Sequence, residues 1–216
     1  MKINSWKFFI STVVLALAAM ACATPDINAL LNPLPKDDFS SSSSGWGTGT
    51  DSYKSVEYAN DGLQMIVYEP YYVTWSAPDT TYYENIHMDV KVTNQGTDPE
   101  ALFGFICNEV GTTNNFYYVG VSPDGYYAFI KSSIAADDVF LKEGTSDVIS
   151  SNPIEMNLGL DCQNGSMTLY ANGQVIDTVS DSTYTTGVIG LFAASDDIQT
   201  GTSVLFDDFV VTKIGE

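Results

Sequence analysis

Four tight-turn signals divide this chain. Asn60-Asp61-Gly62, Pro123-Asp124-Gly125, Asn164-Gly165 and Asn172-Gly173 each stand between runs rich in Val, Ile, Tyr and Phe. Asn, Asp and Gly tolerate the positive φ angles that two-residue hairpin turns demand. A chain cut this way folds by pairing neighbouring strands. The runs themselves alternate. In "NIHMDVKVT", Ile86, Met88, Val90 and Val92 share one face, and His87, Asp89, Lys91 and Thr93 share the other. In "IEMNLGLDC", Ile154, Met156, Leu158 and Leu160 do the same. The pattern predicts about a dozen strands, more than one sheet commonly holds, so two sheets packed face to face are expected. Past the amino-terminal region, the best candidate for a helical turn is the short "DDVFLKEG". No internal repeat appears, which argues against a propeller or solenoid.

The tripeptide Asp-Asp-Phe occurs at Asp37-Asp38-Phe39 and again at Asp207-Asp208-Phe209. Antiparallel sandwiches often place the first and last strands side by side. The two copies are therefore expected as neighbouring strands whose Phe residues enter the core near one end. Strict alternation cannot put Phe206, Phe209 and Val211 on one face, so a bulge or a sheet crossing is expected there.

The amino terminus reads as an export signal. "MKINSWK" is basic, "FFISTVVLALAAM" is an apolar run short for a membrane span, and Ala19-Met20-Ala21 precedes Cys22. Residues 1–21 are read as a bacterial lipoprotein-type signal peptide with Cys22 as the lipidated first residue. The alternative is ordinary signal cleavage and free secretion. Residues 22–36, with three prolines, read as a tether. Residues 37–216 then form the folded domain. Cys107 and Cys162 are left as a pair, and in an oxidising compartment they are expected to form a disulfide. Two separate buried thiols are the alternative. Two thiols and one distant His lack the ligand count for a metal site.

The chain carries 27 acidic residues against 8 basic ones, all of them Lys, for a formal charge of −19. Such a surface repels phosphate, so nucleic acid is excluded as a partner class. It also keeps an exported protein soluble.

The succession "DDFS…GW", "GLQMIVY", "FGFICN…FYYVGVSPDGYYAFIK", "NLGLDCQNGSMTLYANGQVI", "GVIGLFAAS" and "VLFDDFVV" resembles the concanavalin A-like lectin/glucanase jelly rolls. It is closest to their laminin-G-like and 3-keto-disaccharide hydrolase-like forms on bacterial surface lipoproteins. The resemblance covers roughly residues 37–213 and implies an all-β, two-sheet antiparallel jelly-roll sandwich. It does not carry catalysis with it. Glucanases of this kind bear Glu-x-Asp-x-x-Glu on one strand, and no Glu-x-Asp occurs in this chain.

The resemblance also implies a place for ligands, the concave sheet, and the aromatic pairs supply rings for it. Adjacent tyrosines in a strand point to opposite faces, so one of each pair leaves the core. Tyr72, Trp75, Tyr83, Tyr118 and Tyr127 are the candidate ligand-binding residues. Exposed rings beside Asn and Asp suit sugars, whose C–H faces stack on the ring while hydroxyls take hydrogen bonds. Many relatives hold a structural Ca²⁺. Asp37, Asp38, Asp207 and Asp208 are the candidate ligands here, and Asp196-Asp197 is a second acidic loop. The sole histidine, His87, lies on the face opposite Ile86 and Met88, and no Gly-x-Ser-x-Gly elbow accompanies it. No catalytic residue is assigned.

The expectation is a lipid-anchored, non-catalytic module at the cell surface or the periplasm-facing membrane. Its partner would be an extracellular glycan or glycoconjugate. A glycoside or 3-keto-disaccharide hydrolase on the same fold, and an adhesion protein that binds a surface protein, are the alternatives.

Overall fold

The computed structural model describes residues 34–111, 115–149 and 155–215. The expected signal segment 1–21, Cys22 and the tether as far as residue 33 lie outside the described residues.

The strands run β1 (Lys36–Asp37), β2 (Gly49–Thr50), β3 (Lys54–Ala59), β4 (Gly62–Val67), β5 (Val73–Ser76), β6 (Ile86–Asn94), β7 (Leu102–Glu109) and β8 (Phe116–Val121). They continue as β9 (Tyr126–Ser133), β10 (Ala136–Thr145), β11 (Glu155–Gln163), β12 (Ser166–Ala171), β13 (Gln174–Ser180), β14 (Val188–Ala194) and β15 (Thr202–Lys213). The expected turns join them. Asn60 and Asp61 have φ of 55° and 58°, Asn164 and Gly165 of 47° and 72°, and Asn172 and Gly173 of 51° and 76°. Paired positive φ is the geometry that lets a hairpin follow the strand twist. The "DDVFLKEG" segment is not helical. It lies in β10, an edge strand antiparallel to β9, and its largely exposed residues carry little of the alternation that marks a half-buried strand.

The strands form two antiparallel sheets. One has the order β13-β12-β11-β6-β15-β4-β3-β2, with β1 also on β15, and the other has the order β10-β9-β8-β7-β14-β5. Leu63, Met65, Met88, Val90, Leu158, Leu160, Val204 and Phe206 fill the interior from the first sheet. Phe103, Phe105, Val119, Phe129 and Leu191 meet them from the second. Cys107 on β7 and Cys162 on β11 form the expected disulfide, joining the two sheets with a Cα–Cα distance of 6.7 Å.

The first and last strands lie side by side, with Lys36 opposite Val210 and Asp37 opposite Phe209. Pro35 accepts a hydrogen bond from the Val211 N–H at 2.9 Å, just before Lys36 enters β1. Trp46 sits between the two phenylalanines, its ring centroid 5.2 Å from Phe39 and 5.1 Å from Phe209. The register on β6 shifts between Asp207 and Val210, and Asp208 takes φ of 50°. That bulge is what lets Phe206, Phe209 and Val211 all be buried.

Candidate functional site

In the six-stranded sheet every residue of β8 is buried, so both of its faces are covered. Tyr117, Val119 and Val121 face the sandwich interior. Phe116, Tyr118 and Gly120 face outward, where Ile106, Ala128, Ile130, Phe192 and Ala194 form a second apolar cluster with them. Cross-strand register builds this cluster. Tyr118 stands opposite Ile106 on β7 and Ile130 on β9, while Gly120 stands opposite Gly104. The two glycines leave room for Phe192, which pairs with Gly104. A Cβ on Gly120 would lie 2.9 Å from the Phe192 ring and 2.5 Å from the Phe103 carbonyl oxygen. Trp75 packs on Phe116 at 5.6 Å, and Tyr118 meets Phe192 edge-on at 5.4 Å.

A groove of about 460 Å³ opens over this cluster. Val73, Leu102, Ile130 and Ala194 give it an apolar floor, with Tyr118 and Tyr126 beside them. Tyr71 and Phe140 stand at its rim, 75% and 55% exposed. Glu100, Asp138, Ser195 and Asp196 supply its polar edge. The Tyr118 hydroxyl donates to the Asp138 carboxylate, and the Tyr126 hydroxyl donates to Glu143. Burial, followed by those carboxylate partners, pushes both phenols far above the usual tyrosine range. At the other edge, Glu100 is raised by its hydrogen bond to Asp196, then by the charges of Asp196, Asp124 and Asp197.

Asp98 holds this acidic corner in place. It is fully buried. Its Oδ1 accepts the Glu100 N–H at 2.9 Å and its Oδ2 accepts the Asp196 N–H at 3.3 Å. One carboxylate thereby fixes the loop before β7 against the loop after β14. Ser195 adds a second tie, donating to the Glu69 carbonyl at 2.6 Å and accepting the Tyr72 N–H at 3.1 Å.

No family model matches the chain, and no curated protein does. Solved structures do match. The carbohydrate binding module CBM66 from Bacillus subtilis superimposes with a TM-score of 0.61 at 12% identity, over 78% of this chain and 96% of that one. The fold is a concanavalin A-like jelly roll. A Bacillus subtilis protein of unknown function with a galectin-like fold matches this jelly roll with a TM-score of 0.62 at 14% identity, over 83% of this chain and 95% of its own. Bacillus licheniformis β-glucanase matches with a TM-score of 0.58 at 12% identity, over 84% and 98%. At such identities the likeness is one of fold.

The jelly roll brings together only part of the aromatic set expected from sequence. Tyr118 lines the groove and Trp75 packs into the cluster beneath it. The other three candidates stand elsewhere. Tyr127 faces inward, edge-on to Phe129, and donates to Asp177 at 2.7 Å; its neighbour Tyr126 takes the groove position. Tyr72 stacks on Tyr53 at 5.5 Å, and Tyr71 lines the groove instead. Tyr83 is buried at its bridge to Gly187 and donates to Asp79 at 2.7 Å, with its hydroxyl raised to about 12 by burial and then by Asp79.

The four aspartates at the chain ends are neighbours, and the carboxylates of three of them bond within their own turns, while Asp37 Oδ2 is buried without a partner among the described residues. Asp37 Oδ1 accepts the Phe39 N–H, Asp38 Oδ1 accepts the Ser40 N–H and hydroxyl, and Asp207 Oδ1 accepts the Asp208 N–H. Burial raises Asp207, and the negative charges of Asp208 and Asp38 add to the rise. Among the described residues no three His, Cys, Asp or Glu side chains gather as a metal-ligand set.

His87 lies on the outer face of the nine-stranded sheet, its Nδ1 2.6 Å from Asp161 and its Nε2 2.9 Å from Asp89. Asp161 also accepts the Tyr170 hydroxyl at 2.8 Å. Beside this cluster lies a second cleft of about 450 Å³, lined by Asp89, Lys91, Asn157, Asn172 and Asp208 and, among the described residues, by no aromatic ring.

Proposed function

We propose that this protein is a non-catalytic carbohydrate-binding module that holds a glycan or glycoconjugate in the groove on the outer face of its six-stranded sheet. The observation that carries this reading is the combination found there: exposed Tyr71 and Phe140 rings, an apolar floor, and hydrogen-bonding oxygens along the edges. Rings stack on the C–H faces of sugars, while the edges bond their hydroxyls. The likeness to a carbohydrate binding module and to a β-glucanase supports a role with carbohydrate. Hydrolysis is the second reading, because that glucanase shares the fold. Retaining glycosidases hold their two carboxyl groups about 5 Å apart with the sugar between them. Glu100 and Asp196 instead stand together at one edge of the groove, their N–H groups both held by Asp98, which favours binding over cleavage.

The export signal and Cys22 support a lipid anchor at the cell surface or the periplasm-facing membrane. Replacing Cys22 with Ala moves the protein from the membrane fraction to the soluble fraction; unchanged partitioning removes the anchor from the account. The binding reading is tested on a glycan array with the purified protein. Retention of defined glycans without released product supports it. Cleavage of a retained glycan replaces it with the hydrolase reading. Silence on the array shifts the partner to a surface protein.

A further inference from the structure

The polar edges of the groove have an asymmetry that narrows the ligand class, given the carbohydrate-binding reading on which it rests. Three of the side-chain hydroxyls that line the groove are already used within the protein, which leaves the exposed Tyr71 hydroxyl at the rim as a donor. The Tyr118 hydroxyl is on Asp138, the Tyr126 hydroxyl is on Glu143, and the Ser195 hydroxyl is on the Glu69 carbonyl. A carboxylate accepts about four hydrogen bonds, so one phenol leaves Asp138 most of its capacity. Apart from Tyr71, the groove therefore presents acceptors. Among the described residues it presents no cation: neither Lys nor His lines it, and the chain has no Arg. Lys131 and Lys142, the lysines of β9 and β10, are bonded to Asp181 at 2.9 Å and Asp177 at 2.5 Å, away from the groove.

We propose that the groove selects glycans by charge: it takes donor-rich sugars without acidic groups, binds a free amino sugar best, and rejects uronates and sulfated sugars. The amine seats on Glu100 and Asp196, which line one edge of the groove and are both tied to Asp98, and its ring lies along the Tyr71 and Phe140 edge. Two carboxyl groups held together without a counter-cation gain more from an ammonium than from a hydroxyl, because charge-assisted hydrogen bonds are roughly twice as strong as neutral ones. A ligand carboxylate or sulfate in the same place would meet Glu100, Asp138 and Asp196 with no cation to offset them.

The test is a titration of the full protein at pH 7 and physiological salt with three oligosaccharides of equal length: glucosamine, N-acetylglucosamine and galacturonate. The expected order is glucosamine tightest by about tenfold, the acetylated oligomer weaker, and galacturonate unbound. The Glu100→Gln/Asp196→Asn variant should lose the tenfold preference. The Glu57→Gln/Asp61→Asn variant, which removes the same charge from exposed positions on and after β3, should keep it. A preference that survives in the first variant, or falls equally in both, reflects the net negative charge and overturns the inference. Equal binding of galacturonate overturns it as well, while leaving the glycan reading intact. Silence toward every glycan removes that reading and the inference together.

Discussion

The hydroxyl of Tyr118 on β8 donates to the carboxylate of Asp138 on β10, reaching past β9 to the edge strand of the sheet. This bond joins the apolar floor of the groove to its polar rim. The same residue packs against Phe116 and Phe192 and reaches the groove surface. Phe140, two residues beyond Asp138, extends the platform into solvent. Because Phe140 is already exposed, Phe140→Ala should leave thermal stability nearly unchanged. Loss of one stacking ring should weaken glycan binding by about 0.5–1.5 kcal/mol, up to roughly tenfold in Kd. Titration calorimetry beside a melting curve separates the two effects.

The disulfide between Cys107 and Cys162 closes 55 residues of chain and connects the two sheets. Closing a loop of that length restricts the unfolded chain by about 4 kcal/mol. Reduction, or the Cys107→Ser/Cys162→Ser variant, should lower the unfolding free energy by about that amount in a denaturant titration. An unchanged midpoint would mean that the bond adds nothing to stability.

Asp181, in the loop between β13 and β14, sits under Tyr117, Thr183 and Lys131. Burial would raise its carboxyl, but hydrogen bonds from Thr183, Tyr117 and Lys131 outweigh that and hold it far below the usual carboxylate range. A carboxyl whose folded value is depressed stabilises the fold at every pH above its unfolded value. That contribution drains away as pH falls from about 3.9 toward the folded value. The stability advantage over Asp181→Asn should therefore be constant from neutral pH to about pH 5 and shrink steadily below about pH 4. Denaturant titrations of both proteins at pH 7, 4 and 3 measure it.

Gly120 lies where Phe192 crosses the sheet. The Gly120→Ala methyl would start 2.5 Å from the Phe103 carbonyl oxygen and 2.9 Å from the Phe192 ring. Overpacking of this kind costs about 1–3 kcal/mol. The variant should melt lower and bind glycan less well, because a displaced Phe192 moves Tyr118. Loss of stability with unchanged affinity would separate the cluster from the groove above it.

The hairpins were legible in the sequence because Asn60-Asp61, Asn164-Gly165 and Asn172-Gly173 advertise a backbone conformation few other residues adopt. The bulge at Asp207-Asp208 was legible for a related reason: three large apolar residues could not share a face without one. The groove was harder to read. Strands β8 and β9 are covered on both faces, so nothing local distinguishes Tyr126 from Tyr127. Pairing with β8 decides it, placing Tyr127 opposite Val121 on the interior face. Asp98 offered no signal either. It reads as one more acid in a loop, and its role rests on the Asp196 N–H, 98 residues away in the chain.

Amide chemical-shift mapping with a glycan retained on the array tests the central claim most directly. The account predicts shifts concentrated at Leu102, Tyr118, Tyr126, Ile130 and Ala194, and their loss in a Tyr71→Ala/Phe140→Ala variant. Shifts centred instead on Asp89, Asn157 and Asn172, across the outer face of the other sheet, would contradict it.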